Sequence, residues 1–162
     1  MQSAIGIVQL KRVTKWSEIR QRNAIILLSN LKEFTGKSGI LKIPKFQCIG
    51  CEGLCTVNGC RHAWYRCYIE VLPERLAQGR STSDIVMALQ KKGVPCNHGT
   101  CSELYLEKAF ENTQFKPRQP LPVAQYLGER SISFATHPTI GQKTMTEIAQ
   151  TTAEVIRSFK LN

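Results

Sequence analysis

Four thiols fall within thirteen residues in the stretch CIGCEGLCTVNGC, as Cys48, Cys51, Cys55 and Cys60, spaced C-x2-C-x3-C-x4-C. Thiolates suit a tetrahedral zinc ion, and the Cys48–Cys51 pair has the spacing of a zinc knuckle. Zinc sites made of two ligand pairs ordinarily separate the pairs by roughly a dozen residues or more. Here the second pair follows after three. A four-iron cluster uses C-x2-C-x2-C with a further Cys, which this run does not match. Gly50, Gly53 and Gly59 would let the backbone wrap an ion, with Cys67 or His62 close by in sequence. Two readings stand: a zinc site, or a reduced, exposed loop between a helix and a strand.

The imidazoles are His62, His98 and His137. His62 precedes a strand, a place where histidine more often serves as a structural hydrogen-bonding group. His98 sits in NHGTCSE, a run of small polar residues near a helix start. Such a run suits an anion or sugar contact, and equally a solvated loop with an N-cap. Cys101 beside His98 would need a third, orienting residue to act as a nucleophile, and none is evident. TGKSG at 35–39 lacks the G-x-x-x-x-G-K-[ST] spacing of a phosphate loop and reads as a helix stop.

Lys and Arg number 22 against 12 Asp and Glu, a net charge of +10. This is either a solvated basic surface or a preference for anionic partners such as phosphorylated metabolites. The cations are scattered and no basic run interleaves with aromatics, which argues against nucleic acid as the partner. Seven cysteines without an export signal point to a reducing cytoplasm and free or metal-bound thiols. No apolar run approaches the ~20 residues of a membrane span.

The elements that must position these groups begin with a long helix, residues 1–34. Val13, Trp16, Ile19, Ile26, Leu31 and Phe34 fall near helical spacing. Ile5, Ile7, Val8 and Leu10 project all round the wheel, so the helix start calls for cover on every side. Residues 1–10 are thus expected to meet a second copy of the chain or a further domain. The Cys-rich loop occupies 35–61, and 62–162 forms an α+β body. HAWYRCYIEVL, 62–72, reads as a central strand. STSDIVMALQKKG, 81–93, reads as a helix capped by Ser81 and Asp84 and stopped by Gly93. A short strand and turn at 94–100 lead to a short helix over 101–110. A Pro-rich connector covers 115–123, and a short helix closes on Gly128. SISFATHPT, 131–139, reads as a strand stopped by Pro138. A last helix spans 144–160, with Thr144 and Glu147 as a capping box. The order predicts a few-stranded sheet covered by helices.

MQSAIGIVQL, RQRNAIILLSNL, HAWYRCYIEVLPERL, KKGVPCNHGTCSELYLEKAF, LPVAQYLGERSISFATHPT and the terminal helix carry a resemblance. The chain resembles the C-terminal domain of the DegT/DnrJ/StrS-type sugar aminotransferases over nearly its whole length apart from 35–60. Its most specific part is 93–110. The resemblance implies the small α+β domain of a fold-type-I, pyridoxal-phosphate (PLP) enzyme that aminates nucleotide-linked keto-sugars for lipopolysaccharide, O-antigen or antibiotic-sugar synthesis. In that family the residues like MQSAIG follow an Asn-x-Arg segment near the cofactor phosphate. The large domain with its Schiff-base lysine would precede Met1, and no lysine here stands in the family's lysine motif, so these residues alone are not expected to transaminate. The NHGTCSELY turn looks like the loop that approaches the substrate. That implies His98, Ser102, Glu103 and Tyr105 as the positions nearest the nucleotide-sugar, with His137 a further candidate. The Cys-rich loop falls where the family varies in length, which favours a local insertion. Two other classes stay open beside this one: a metal-dependent basic binding module built on the four thiols, and a non-catalytic interaction protein that kept the domain.

Overall fold

The computed structural model describes residues 2–44, 47–48, 51–52, 62–99 and 102–160. Helix α1 runs Gln2–Leu31 and tightens into a 3-10 turn over Lys32–Phe34. Its buried side chains are Asn23, Ala24, Leu27, Leu28 and Leu31, which repeat at three and four residues and so form one stripe. Its first three turns stay outside the core: Ile5, Ile7, Val8 and Leu10 are all exposed.

A four-stranded antiparallel sheet follows the order β1-β4-β6-β5. The strands are β1 (Leu41–Lys42), β4 (Arg66–Val71), β5 (Cys96–His98) and β6 (Ser131–Ala135). β4 lies inside the sheet, as its aromatic and β-branched composition predicts. β2 (Gln47–Cys48) and β3 (Cys51–Glu52) form a separate hairpin with Cys48 opposite Cys51. Register puts Cys67 against Phe134, Ile69 against Ile132 and Cys96 against Phe134. Side chains alternate along a strand, so this set shares one face. That face meets α1, α2 (Thr82–Lys91) and α4 (Gln142–Phe159), and forms the core with Leu27, Leu31, Ile85, Leu89, Met145 and Ile156. Each such side chain contributes roughly 1.5–3 kcal/mol through burial. The opposite face, carrying Tyr68 and Glu70, is partly covered by α3 (Pro122–Arg130).

Several boundaries differ from the sequence expectation. Residues 101–110 do not make an α-helix: among the described ones, 104–106 and 108–110 form two 3-10 turns, parted by extended Glu107. None of the described residues of this stretch is buried, and so short a helix has too few bonds to stand without a packed face. α3 does not close on Gly128 but continues to Arg130, where β6 begins. Gly128 instead gives room to Ser102, whose Oγ occupies the place a Cβ would take. β6 ends at Ala135, three residues before Pro138. α4 starts earlier than predicted, with Gly141 at the N-cap and no side-chain cap, so the Thr144–Glu147 box does not form. Thr144 already lies in the first turn there. The capping box at α2 does form: Asp84 N donates to Ser81 Oγ at 3.3 Å, and Ser81 N to Asp84 Oδ2 at 2.8 Å.

The lead into β4 is pinned at both ends. Trp64 takes φ 44°, a left-handed conformation that is uncommon for a bulky residue. Its N–H donates to His62 Nδ1 at 3.0 Å, and its carbonyl accepts from Thr136 Oγ1. Burial lowers the pKa of His62, which keeps the ring an acceptor and suits the structural role predicted for it.

Candidate functional site

Two adjoining cavities flank α3 at the β5 side of the sheet. The larger, about 860 Å³, is lined mostly by polar residues and exposes polar and apolar surface in about equal measure. Its walls include Arg80, Ser81, Thr82 and Ser83 at the start of α2, and His98 at the end of β5. Ser102, Glu103, Lys108, Gln125 and Glu129 stand opposite, and Pro73 and Leu106 add apolar wall. The smaller, about 620 Å³, lies between α3 and the outer sheet face. Tyr68, Leu121, Pro122, Val123, Leu127 and Ser131 line it, so it is mostly apolar. Ser102 belongs to both.

Local chemistry explains the placement. The α2 capping box fixes Ser81 to Ser83 at the cavity wall, and its Ser81 bonds hold the Asp84 carboxyl below its ordinary pKa. Thr82 is 3% exposed, and its Oγ1 has no hydrogen-bond partner. β5 is held by Gln90 Nε2 on the Cys96 carbonyl at 2.9 Å and by Ser133 Oγ on the His98 carbonyl at 3.1 Å. Gly99 N then donates to Ser131 O at 2.8 Å. The chains approach so closely there that a Cβ on Gly99 would sit 2.7 Å from Ser131 Cβ.

Of the residues singled out in the sequence, His98, Ser102 and Glu103 come together on the polar cavity. Tyr105 joins them through Glu103: its hydroxyl donates to Glu103 Oε1 at 2.6 Å and accepts from Leu121 N at 3.0 Å. The Glu103 bond raises the Tyr105 pKa, and the pair closes the loop between the 3-10 turns and α3. His137 lines neither cavity. Its Nδ1 lies 2.7 Å from Thr139 Oγ1, and its carbonyl accepts from Asn23 of α1. Cys55, Cys60 and Cys101 lie outside the described residues, and Cys48 and Cys51 enter only as facing backbone positions of the β2–β3 hairpin. Among the described residues no group of three His, Cys, Asp or Glu could hold a metal ion. Arg80, Thr82, Gln125 and Glu129 had no motif to mark them; they reach the cavity because the chain passes it three times.

α3 is fixed to the sheet by charged anchors. Tyr126 Oη donates to Glu70 Oε1 at 2.8 Å, and Lys42 Nζ lies 3.0 Å from Glu70 Oε2. Glu70 is 6% exposed, and it raises the pKa of both partners. At the other end of α3, Arg130 Nη1 meets Glu74 Oε2 at 2.6 Å and stacks over the Tyr126 ring at 4.2 Å. The Arg130 bond lowers the Glu74 pKa, and the Glu74 bond raises that of Arg130.

This arrangement, a small antiparallel α+β layer with a long leading helix and a polar cleft at its edge, is that of the C-terminal domain of aminotransferases. The chain belongs to the DegT/DnrJ/EryC1/StrS aminotransferase family, which it matches over residues 1–153. Among solved structures, an aminotransferase from Psychrobacter cryohalolentis is 33% identical with a TM-score of 0.84; the match covers 98% of this chain and 39% of that one. Helicobacter pylori PseC, an aminotransferase of pseudoaminic acid biosynthesis, shares the fold at a TM-score of 0.69 and 19% identity, over 98% of this chain and 37% of its own. An E. coli GDP-4-keto-6-deoxy-D-mannose-3-dehydratase with bound hydrated PLP does so at 0.66 and 18%, over 94% and 34%. The chain therefore spans about a third to two-fifths of the length of these relatives. No curated protein sequence matches it. No helix among the described residues is long and apolar enough to cross a membrane.

Proposed function

We propose that these residues form the substrate-facing C-terminal part of an aminotransferase that aminates a nucleotide-linked keto-sugar, in the making of cell-surface polysaccharide of the lipopolysaccharide or O-antigen class. The observation that carries this reading is the polar cavity that gathers His98, Ser102 and Glu103 within a chain of this family. Hydroxyl, imidazole and carboxylate groups around one opening suit the hydroxyls of a sugar.

The family implies pyridoxal phosphate, which needs a lysine for its Schiff base and a cradle for its phosphate. The described residues do not make that site. Lys108, on the polar cavity, is exposed; Lys42 is engaged by Glu70 and Lys92 by Glu154. On this reading the cofactor's lysine is expected from the remainder of the aminotransferase, of which these residues match less than half. The exposed Ile5, Ile7, Val8 and Leu10 of α1 support a partner there, either that further part or a second copy of the chain.

The test combines the chain with the N-terminal portion of the Psychrobacter relative, with pyridoxal phosphate, an amino donor and a nucleotide-linked 4-keto-sugar. Mass spectrometry of the sugar is the readout. Aminated product is expected from the combination, reduced at least tenfold by His98→Ala, and none from the 162 residues alone. Product from the chain alone, or full activity of the combined His98→Ala protein, refutes the proposal.

A further inference from the structure

The crossover from β5 to β6 is unlike the rest of the domain. Residues 102–130 are all described, and none of them is buried. α4, by contrast, buries Met145, Ala149, Thr152, Ala153, Val155, Ile156 and Phe159. Leu104, Leu106, Phe115, Leu121, Val123 and Leu127 are exposed, so these apolar side chains add little that holds the crossover to the sheet. What holds it is polar: the Tyr126–Glu70 hydrogen bond, the Arg130–Glu74 pair beside β6, and an internal clasp of Tyr105 on Glu103 and Leu121. Local opening costs little where few apolar contacts must be broken.

We infer that residues 102–130 form a strap that lifts from the sheet as a unit, with the Tyr126–Glu70 bond as its latch. Glu70 is a suitable fixed point. It sits on the central strand β4, almost fully buried, and Lys42 of the edge strand β1 holds its other oxygen at 3.0 Å. The clasp ties the two ends of the loop together, while α3, nine residues long, is too short to keep its helix once off the sheet, so its amides open to exchange when the strap lifts. Ser102, Glu103, Lys108, Gln125 and Glu129 travel with it, while Ser81, Thr82, Ser83 and His98 stay on α2 and β5. Lifting the strap therefore parts the polar cavity along its length and opens the apolar one beneath α3. A ligand larger than the groove in its resting form would be admitted by this route.

Amide hydrogen exchange on the full 162-residue chain, resolved by peptide, tests the inference. In the unaltered protein the α3 amides are expected to exchange at least ~100-fold faster than those of α4, through an opening that leaves α4 closed. Tyr126→Phe removes the latch hydroxyl from a side chain that is 41% exposed, so the domain stays folded. It is expected to speed exchange in α3 by about tenfold, the effect of one lost hydrogen bond to a carboxylate near solvent, and to leave α4 unchanged. Exchange of α3 at the α4 rate in the unaltered protein overturns the strap. A Tyr126→Phe effect that is nil, or equal in α3 and α4, overturns the latch.

Discussion

Asn23 is the buried polar joint between α1 and the rest of the domain, and Asn23→Ala tests how that helix is held. The side chain is 0% exposed. Its Nδ2 donates to the carbonyls of His137 at 3.3 Å and Ile140 at 3.1 Å, and its Oδ1 accepts from Arg22 at 3.0 and 3.2 Å. Removing it does not orphan either carbonyl. His137 O keeps the Ile140 N–H at 3.0 Å, and Ile140 O keeps Arg22 Nη2 at 3.3 Å. The loss is therefore that of two shared bonds to carbonyls, two bonds from half-buried Arg22 that water can in part replace, and a small void, reduced by the better helix propensity of alanine, or about 1–2 kcal/mol. For a domain of this size that lowers Tm by roughly 3–6 °C. Urea unfolding followed by circular dichroism would show the midpoint falling with the slope unchanged. Asn30→Ala is the control, because Asn30 Nδ2 bonds only back to Ile26 O of its own helix at 2.9 Å. Its cost is expected within about 0.5 kcal/mol of zero. If Asn23→Ala costs less than about 0.5 kcal/mol, or no more than Asn30→Ala, then α1 is not docked through this residue.

Two further outcomes follow from the packing. Burial pushes the Cys67 thiol up to about 12 and that of Cys96 up to about 11, so the native state keeps both protonated where the unfolded chain would ionise them. Their contribution to stability is whole below the unfolded thiol value of about 8.5 and is lost as pH rises from there towards 11–12. Urea midpoints should hold from pH 6 to 8 and fall above pH 9, with a smaller fall in Cys67→Val; an equal fall in that variant would remove the thiol as the cause. Gly128→Ala, which in an open helix would stabilise by up to about 1 kcal/mol, should instead speed exchange of the α3 amides, because the methyl group meets Ser102. In a Ser102→Gly background the same substitution should slow α3 exchange, and a matching acceleration in both backgrounds would rule out that contact.

The sequence by itself determined the elements whose causes are local. The composition of β4 and the Ser81–Asp84 box each depend on residues a few positions apart, so propensity and capping chemistry could be read directly, whereas the helical spacing over 13–34 marked Leu31 but also exposed Val13, and missed Ala24, Leu27 and Leu28 of the buried stripe. That His98, Ser102 and Glu103 share one cavity wall was foreshadowed for the same reason: they lie within six residues of one another. Tertiary structure decided the rest. The Thr144–Glu147 box gives way to a helix that starts at Gln142 behind an N-cap at Gly141, and Gly128 lies inside α3, where its missing Cβ leaves room for Ser102. Tyr105 is drawn to Leu121, sixteen positions away, and His137 to Asn23 on the first helix. Nor does any local pattern announce that Arg80, Thr82, Gln125 and Glu129 share a wall with His98. The physical reason is range: helices, strands and caps are settled by neighbours along the chain, whereas a cavity is the space left where separate passes of the chain meet.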